Sequence, residues 1–322
     1  MRSRNSAIER ISPVPRFRNE RNLRSSCAPP TKHSNQPAEP NVSSLPEAEH
    51  ICQQLARREA KNFYWGFLSL PYEQRVAIYA LYSFARQVDD VVDIPDGRPL
   101  PERLAQQRER IRACMRGEHS DPVTQVLAKA IASYRIPESE LQGLVDGVEM
   151  DVLRNRYATW EDLEGYCRLV ASVVGRMCVR IFGFDDPAAL ERADELGLAL
   201  QLTNILRDVR EDAGMNRVYL PMEDLHRFGL SENDVLEGRG GAQWDALVAH
   251  EVARARAFFA MGYGVLGHIP RRPAVCVRTM AGIYERILEK IAADPELPLR
   301  ARATLSPAEK LFVMAKSWIA AA

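Results

Sequence analysis

The chain has 322 residues, 46% hydrophobic and 27% charged, and its 43 basic and 43 acidic side chains cancel to zero net charge. A neutral balance with no basic stripe among aromatics gives a nucleic-acid backbone nothing to grip, while a chain of this length can bury a sizeable core. The six cysteines, Cys27, Cys52, Cys114, Cys167, Cys178 and Cys276, form no CxxC pair and have no histidine cluster beside them. That pattern argues against a zinc site or a disulfide framework and fits a reducing, cytoplasmic setting.

Residues 1–45 are rich in Arg, Ser, Pro and Asn and poor in large apolar side chains. They read as a disordered tail that catalysis can dispense with, or as a segment upstream of the true start. The same composition also resembles a transit peptide, though it lacks the apolar core of a secretory signal. From Leu45 onward apolar residues recur at steps of three and four, and Pro and Gly fall between the periodic segments. The breaks are Pro71, the Pro95–Pro101 loop, Pro122, Pro137, Pro187, Pro221, Gly238–Gly241, and Pro270 with Pro273. This predicts about ten helices in one all-α domain over 46–322, with no sheet. The apolar stretch Phe258–Ile269 is short and follows Arg254 and Arg256, so no membrane-spanning helix is expected.

The first candidate constellation is Arg86-Gln87-Val88-Asp89-Asp90-Val91-Val92-Asp93. On a helix, Ile78, Tyr82, Ala85, Asp89 and Asp93 share one stripe. Its upper part is apolar, so the stripe should face inward and carry Asp89 and Asp93 with it. Inward carboxylates are costly unless a cation or partner compensates them, and magnesium takes carboxylates, waters and substrate phosphates. Taken alone, the segment is equally readable as a solvated helix end before Pro95.

The second runs Gln201-Leu202-Thr203-Asn204-Ile205-Leu206-Arg207-Asp208-Val209-Arg210-Glu211-Asp212. Gly197, Gln201, Asn204, Asp208 and Asp212 form a polar stripe beside the apolar stripe Leu198, Leu202, Ile205 and Val209. Two such arrays on facing helices of a bundle would surround one cavity with carboxylates, which cations bridged by a diphosphate can neutralise. Crowded carboxylates repel, so removing Asp89 or Asp208 is expected to abolish turnover while stabilising the unliganded protein.

Both segments resemble the signature motifs of the squalene and phytoene synthase family. The first extends back to Tyr79-Ala80-Leu81-Tyr82-Ser83-Phe84-Ala85, and the second continues into Asn216-Arg217-Val218-Tyr219-Leu220-Pro221. The stretch Tyr166-Cys167-Arg168-Leu169-Val170-Ala171-Ser172-Val173-Val174-Gly175 between them matches as well. The resemblance covers about residues 50–318 and implies a single-domain isoprenoid-synthase helical bundle with a central cavity.

It also implies roles. Asp89, Asp93, Asp208 and Asp212, with Asn204, would hold magnesium, or manganese in its place. Gln201 would line the same site. Arg86, Arg207 and Arg217 would contact diphosphate oxygens. Tyr82, Tyr166 and Tyr219 would sit near the reacting carbons, where a phenol can stabilise a passing cation, and Asp151 matches a further acidic position. Small residues Val170, Ala171, Ser172 and Gly175 would let a prenyl chain lie close to a helix. Phe63 and Phe67 match an aromatic wall, and Tyr284 and Arg302 match further substrate-binding positions. Asn62 stands where many members carry a Ser that contacts diphosphate, a departure at that contact. Tyr219, past a helix that Gly214 can end, would lie on a loop over the cavity.

The implied reaction joins two prenyl diphosphates head to head, through ionisation of one, attack by the double bond of the other, and proton loss to a cyclopropylcarbinyl diphosphate. The segment Ala60-Lys61-Asn62-Phe63 is similar to presqualene diphosphate synthases of bacterial hopanoid pathways, which implies a C15 substrate; a C20 substrate would lead to phytoene. A terpene cyclase or chain-elongating synthase fits the Gln201–Asp212 segment poorly, and a catalytically dead helical assembly factor fits the intact aspartates poorly. No Gly-rich dinucleotide fingerprint indicates NADPH. A lipid product implies peripheral contact with a membrane and no nucleic-acid partner.

Overall fold

The computed structural model describes residues 44–60, 63–94 and 96–320, excepting the Asp93 side chain. Nearly all of the predicted tail, together with Cys27, Asn62 and the Asp93 side chain, lies outside the described residues. Helix α1 (Leu45–Glu59) starts where the periodic pattern starts. Short α2 (Tyr64–Phe67) is followed by α3 (Tyr72–Asp93), α4 (Leu100–Met115), α5 (Pro122–Tyr134), α6 (Glu138–Leu153) and α7 (Trp160–Cys167). A π-helical turn, Arg168–Ser172, joins α7 to α8 (Val173–Phe182). The long α9 (Ala188–Ala213) leads to α10 (Met222–Arg227), α11 (Glu232–Leu236) and α12 (Ala242–Gly262). A 3-10 turn, Tyr263–Gly267, precedes α13 (Arg271–Ala293), α14 (Leu297–Arg300) and α15 (Pro307–Ala320).

The fold is all-α, as the pattern predicts. Among the described residues the only β pairing is an isolated bridge between Arg156 and Val218. Most of the prolines act as the predicted punctuation, though Pro101 and Pro273 fall inside the first turns of α4 and α13. Pro71, Pro137, Pro187, Pro221 and Pro270 occupy N-caps, and Pro122 opens α5 behind the Asp121 capping box. Proline is suited to these positions because its missing N–H would have no helical partner there. The described residues form fifteen α-helices rather than about ten. The excess comes from α2, α10, α11 and α14, each of four to six residues; these are too short to show a clear 3.6-residue periodicity.

Helix α9 is the axis of one half: α8, α12, α13 and the π turn pack on it, while α1, α3 and α5 pack together in the other half. Close approach depends on glycine. A Cβ at Gly197 of α9 would stand 2.8 Å from Ser172 Cα, and one at Gly175 would stand 2.8 Å from Ala193 O. Helix α9 ends at Ala213, but Gly214 keeps right-handed geometry. The left-handed residue that turns the chain is Asn216 (φ 57°), and Arg217 N donates to Asp212 O at 2.9 Å.

Candidate active site

Helices α3 and α9 face one central cavity. Its walls are Ile78, Leu81 and Tyr82 from α3, and Leu196, Leu200, Gln201 and Asn204 from α9. Val170, Ala171 and Gly175 close one side, and Phe63 and Phe67 beside α2 close another. Both predicted stripes are buried: Ile78, Tyr82, Ala85 and Asp89 on α3, and Gln201, Asn204, Asp208 and Asp212 on α9. The cavity is apolar except near Tyr82, Gln201 and Asn204. Asn204 Nδ2 donates to Gln201 Oε1 at 3.2 Å, and the buried Asn204 Oδ1 and Tyr82 hydroxyl have no hydrogen-bond partner among the described residues. Buried polar atoms left unsatisfied at a cavity wall are suited to receive a polar ligand.

An aromatic and cationic wall adjoins this polar end. Phe63 stacks on Tyr284 at 5.5 Å and on Phe67 at 6.4 Å, and Phe67 meets Tyr82 edge-on at 6.4 Å. The Arg207 guanidinium sits over the Tyr284 ring at 6.0 Å. Arg207 is buried and pairs bidentately with its neighbour Asp208, at 2.7 and 2.6 Å. Arg302 Nε reaches Asp208 Oδ1 at 3.0 Å from the loop between α14 and α15. Asp208 is therefore neutralised by two guanidinium groups. Burial works against charge on Arg207, but Asp208 more than offsets it and holds its pKa above the usual range. Arg86 lies half-buried on α3, paired with Asp90 at 2.8 Å. Burial pushes the Tyr82 hydroxyl up, and the Asp89 carboxylate adds to that rise.

A second polar centre joins the end of α6 to the loop after α9. Asp151 accepts from the Tyr166 hydroxyl at 3.1 Å, from Arg217 Nη1 at 2.9 Å and from the Tyr219 hydroxyl. Tyr219 stacks on Tyr166 at 5.5 Å and on Tyr157 at 5.9 Å. It is on a loop, as predicted, but buried within this stack with its hydroxyl committed to Asp151, and it is not part of the cavity lining. Burial, with Asp151 adding to it, pushes the Tyr166 and Tyr219 hydroxyls far above the usual phenol range. Both phenols therefore stay protonated and act as donors.

Besides Tyr219, a second predicted role changes. Val170, Ala171 and Gly175 do line the cavity, but Ser172 does not. Its Oγ donates to Asp194 O at 2.9 Å, and its backbone packs against Gly197, so its small size serves helix packing. Sequence reasoning missed Tyr157, which sits outside any helix, and the α13 lining residues Val277, Met280 and Ala281. The latter lie on the apolar face of an amphipathic helix and read as ordinary core.

The donors around the cavity suit a hard divalent cation, since they are oxygens and include the unpartnered Asn204 Oδ1. Among the described residues, no three of the motif carboxylates have ligand atoms all within 4.8 Å of one another. An ion there would complete its shell with waters or ligand oxygens. Asp224, His250 and Glu251 do form such a close group elsewhere. Arg254 already donates to both of its carboxylates, at 2.9 and 2.7 Å, and supplies the compensating charge.

The squalene/phytoene synthase family model matches residues 56–309. A phytoene synthase of Mycobacterium tuberculosis is 35% identical over 280 residues, covering 85% of this chain and 91% of the relative. A 15-cis-phytoene synthase of Synechocystis is 35% identical over 301 residues, covering 88% of each. The crystal structure of squalene synthase HpnC from Alicyclobacillus acidocaldarius superposes with a TM-score of 0.74 at 31% identity, over 77% of this chain and 94% of that one. A dehydrosqualene synthase solved with a ligand gives 0.78 at 27% identity, over 85% and 96%. The match over most of its length, on an all-α fold with a cavity between two aspartate-bearing helices, makes this chain a member of the squalene/phytoene synthase family of prenyltransferases.

Proposed function

We propose that this enzyme condenses two molecules of geranylgeranyl diphosphate head to head to phytoene. The relatives named phytoene synthase support the C20 reading over the C15 reading drawn from Ala60–Phe63. The likeness to squalene synthase HpnC keeps farnesyl diphosphate as the second reading. The observation that carries the chemistry is an apolar cavity whose polar wall, among the described residues, is Tyr82, Gln201 and Asn204, next to buried arginines and aspartates.

In this reading Asp89, Asp93, Asp208, Asp212 and Asn204 hold magnesium, which when bound supplies Lewis-acid stabilisation of the departing diphosphate. Arg207 and Arg302, held beside Asp208, add fixed positive charge at the same end. Asn204 Oδ1, an acceptor, offers its lone pairs to the cation, and the Tyr82 hydroxyl donates to a diphosphate oxygen. The Phe63, Phe67, Tyr82 and Tyr284 rings flank the cationic carbon chain, and the apolar walls keep water from quenching it. Asp151 orients Tyr166 and Tyr219. The lipid product supports a peripheral contact with membrane.

Incubation with magnesium and either the C15 or the C20 diphosphate, with products weighed by mass spectrometry, tests the proposal. Phytoene from the C20 substrate is expected. A C30 product made faster from farnesyl diphosphate would replace it with the second reading. No diphosphate release from either would point to a catalytically dead fold.

A further inference from the structure

Helix α15 presents an apolar face outward. Only Val313 and Ser317 are buried within it. At 100° per residue these two define the inward side, and Leu311, Phe312, Ala315, Trp318 and Ile319 occupy the opposite arc. All five are exposed, Ile319 to 77%. Exposed apolar residues gathered on one face, unlike scattered ones, mark an interaction surface.

The face continues onto α2. Glu309 pairs with Lys290 at 2.8 Å, and Val313 lies beside Gly282. Helix α15 therefore runs back along α13 towards Cys276, where Gly66 of α2 is seated, and α15 touches α2. Helix α2 is two-sided: Phe67 lines the cavity, whereas Trp65 and the adjoining Leu68 are exposed. One short helix thus separates the cavity from the outer apolar face.

The rim is basic. Arg271 and Arg272 are exposed at the start of α13, and Ser69 Oγ, just past α2, donates to Arg272 O at 3.2 Å. Lys316 is exposed on α15, and none of these three cations forms an ion pair among the described residues. The neighbouring acids are already engaged: Glu285 by the Tyr263 hydroxyl at 2.6 Å, Glu289 by Arg256 at 2.6 Å, and Glu309 by Lys290. Arg286 sits over the Phe312 ring at 4.9 Å.

We propose that α15 and α2 form a docking face for an anionic lipid bilayer, with Leu311, Trp318, Ile319, Trp65 and Leu68 entering the interface and Arg271, Arg272 and Lys316 meeting lipid phosphates. Tryptophan and leucine on one side with cations at the edges is the composition of a helix that lies in a membrane surface. No described helix is long and apolar enough to cross a membrane, so the contact is peripheral. A second copy of the chain fits less well, because a two-fold pairing of this face would oppose its own basic rims. The consequence for the proposed reaction is that a hydrocarbon could move between cavity and lipid past α2.

The test is sedimentation of the full chain with vesicles of phosphatidylcholine alone or mixed with phosphatidylglycerol. Binding to the anionic vesicles is expected, weakened by salt. The double variant Leu311→Gln, Ile319→Gln should keep the wild-type melting temperature and lose binding by about tenfold or more. A wild-type chain that ignores both vesicles, or a variant that binds as well as wild type, overturns the proposal. So does a wild-type dimer in light scattering that the variant abolishes without any vesicle binding, which would make this face a contact between copies. Turnover is not part of the readout, so a wrong substrate assignment leaves the result intact.

Discussion

Arg217 Nη1 lies 2.9 Å from Asp151 Oδ2, across 66 residues of sequence, and both side chains are buried. The pair pins the loop after the second aspartate motif to the end of α6. Burial disfavours the Arg217 charge, but its polar neighbours, the Asp151 carboxylate among them, more than offset that and raise its pKa.

Asp151→Asn should leave that guanidinium buried without its counter-charge. Breaking a buried pair in this way costs about 3–5 kcal/mol, so urea unfolding should show a loss of that order, together with a large loss of turnover. The double variant Asp151→Asn, Arg217→Met should recover part of the stability but none of the activity. A single-variant loss below about 1 kcal/mol would show that solvent reaches the pair.

Tyr219→Phe keeps the ring between Tyr157 and Tyr166 and removes one hydrogen bond to Asp151. Hydrogen bonds to charged groups contribute about 1.5–3 kcal/mol, so this variant should be less stable by that amount and slower. Tyr219→Ala opens a hole in the stack and should be worse on both counts. If the ring also shields cations, its products should include water-quenched alcohols, read by mass. Wild-type rates and products from both variants would remove Tyr219 from the chemistry.

Asp208→Ala should abolish most turnover and also destabilise the protein. The sequence pattern favours the opposite sign for stability, because it shows carboxylates converging and not which guanidinium groups pair with them. The structure puts Arg207 and Arg302 against Asp208, so deletion strands a buried guanidinium instead of relieving repulsion. A melting temperature above wild type would contradict this arrangement.

Glu251 gives a pH dependence. Burial pushes its carboxyl up to about 7 from an ordinary 4.5, against the opposing pull of Arg254. Between those values the folded protein holds a proton that the unfolded chain releases. The stability this contributes is complete below pH 4.5 and is lost as pH rises to about 7. Wild type minus Glu251→Gln should therefore decline across that window in unfolding free energy. A rising difference would mean that Arg254 and its neighbours keep Glu251 ionised.

The two aspartate helices were legible because their stripes are long and regular: Ile78 to Asp89 and Gly197 to Asp212 each turn one face inward over several turns. What lay between distant segments was not. Nothing in the string Arg207-Asp208 reveals Arg302, which arrives from the loop before α15. Ser172 is small either to admit a substrate or to admit a helix, and only its packing against Gly197, where an added Cβ would stand 2.8 Å from Ser172 Cα, shows the second. Tyr157 lies in a loop without periodicity, so its tilted ring contact with Tyr166 at 5.4 Å left no mark in the pattern.

The π turn at Arg168–Ser172 sets the rotation of α8 relative to α7. Such turns accommodate one residue more than an α-helix would in the same rise. Wound as a regular α-helix with no residue removed, the same sequence would carry everything downstream about 100° further round. Val174 and Cys178 would leave the cavity wall, and Gly175 would no longer face Ala193. This short stretch therefore acts as a phase setting for the whole wall, taking up one residue that a regular helix would spend on rotation.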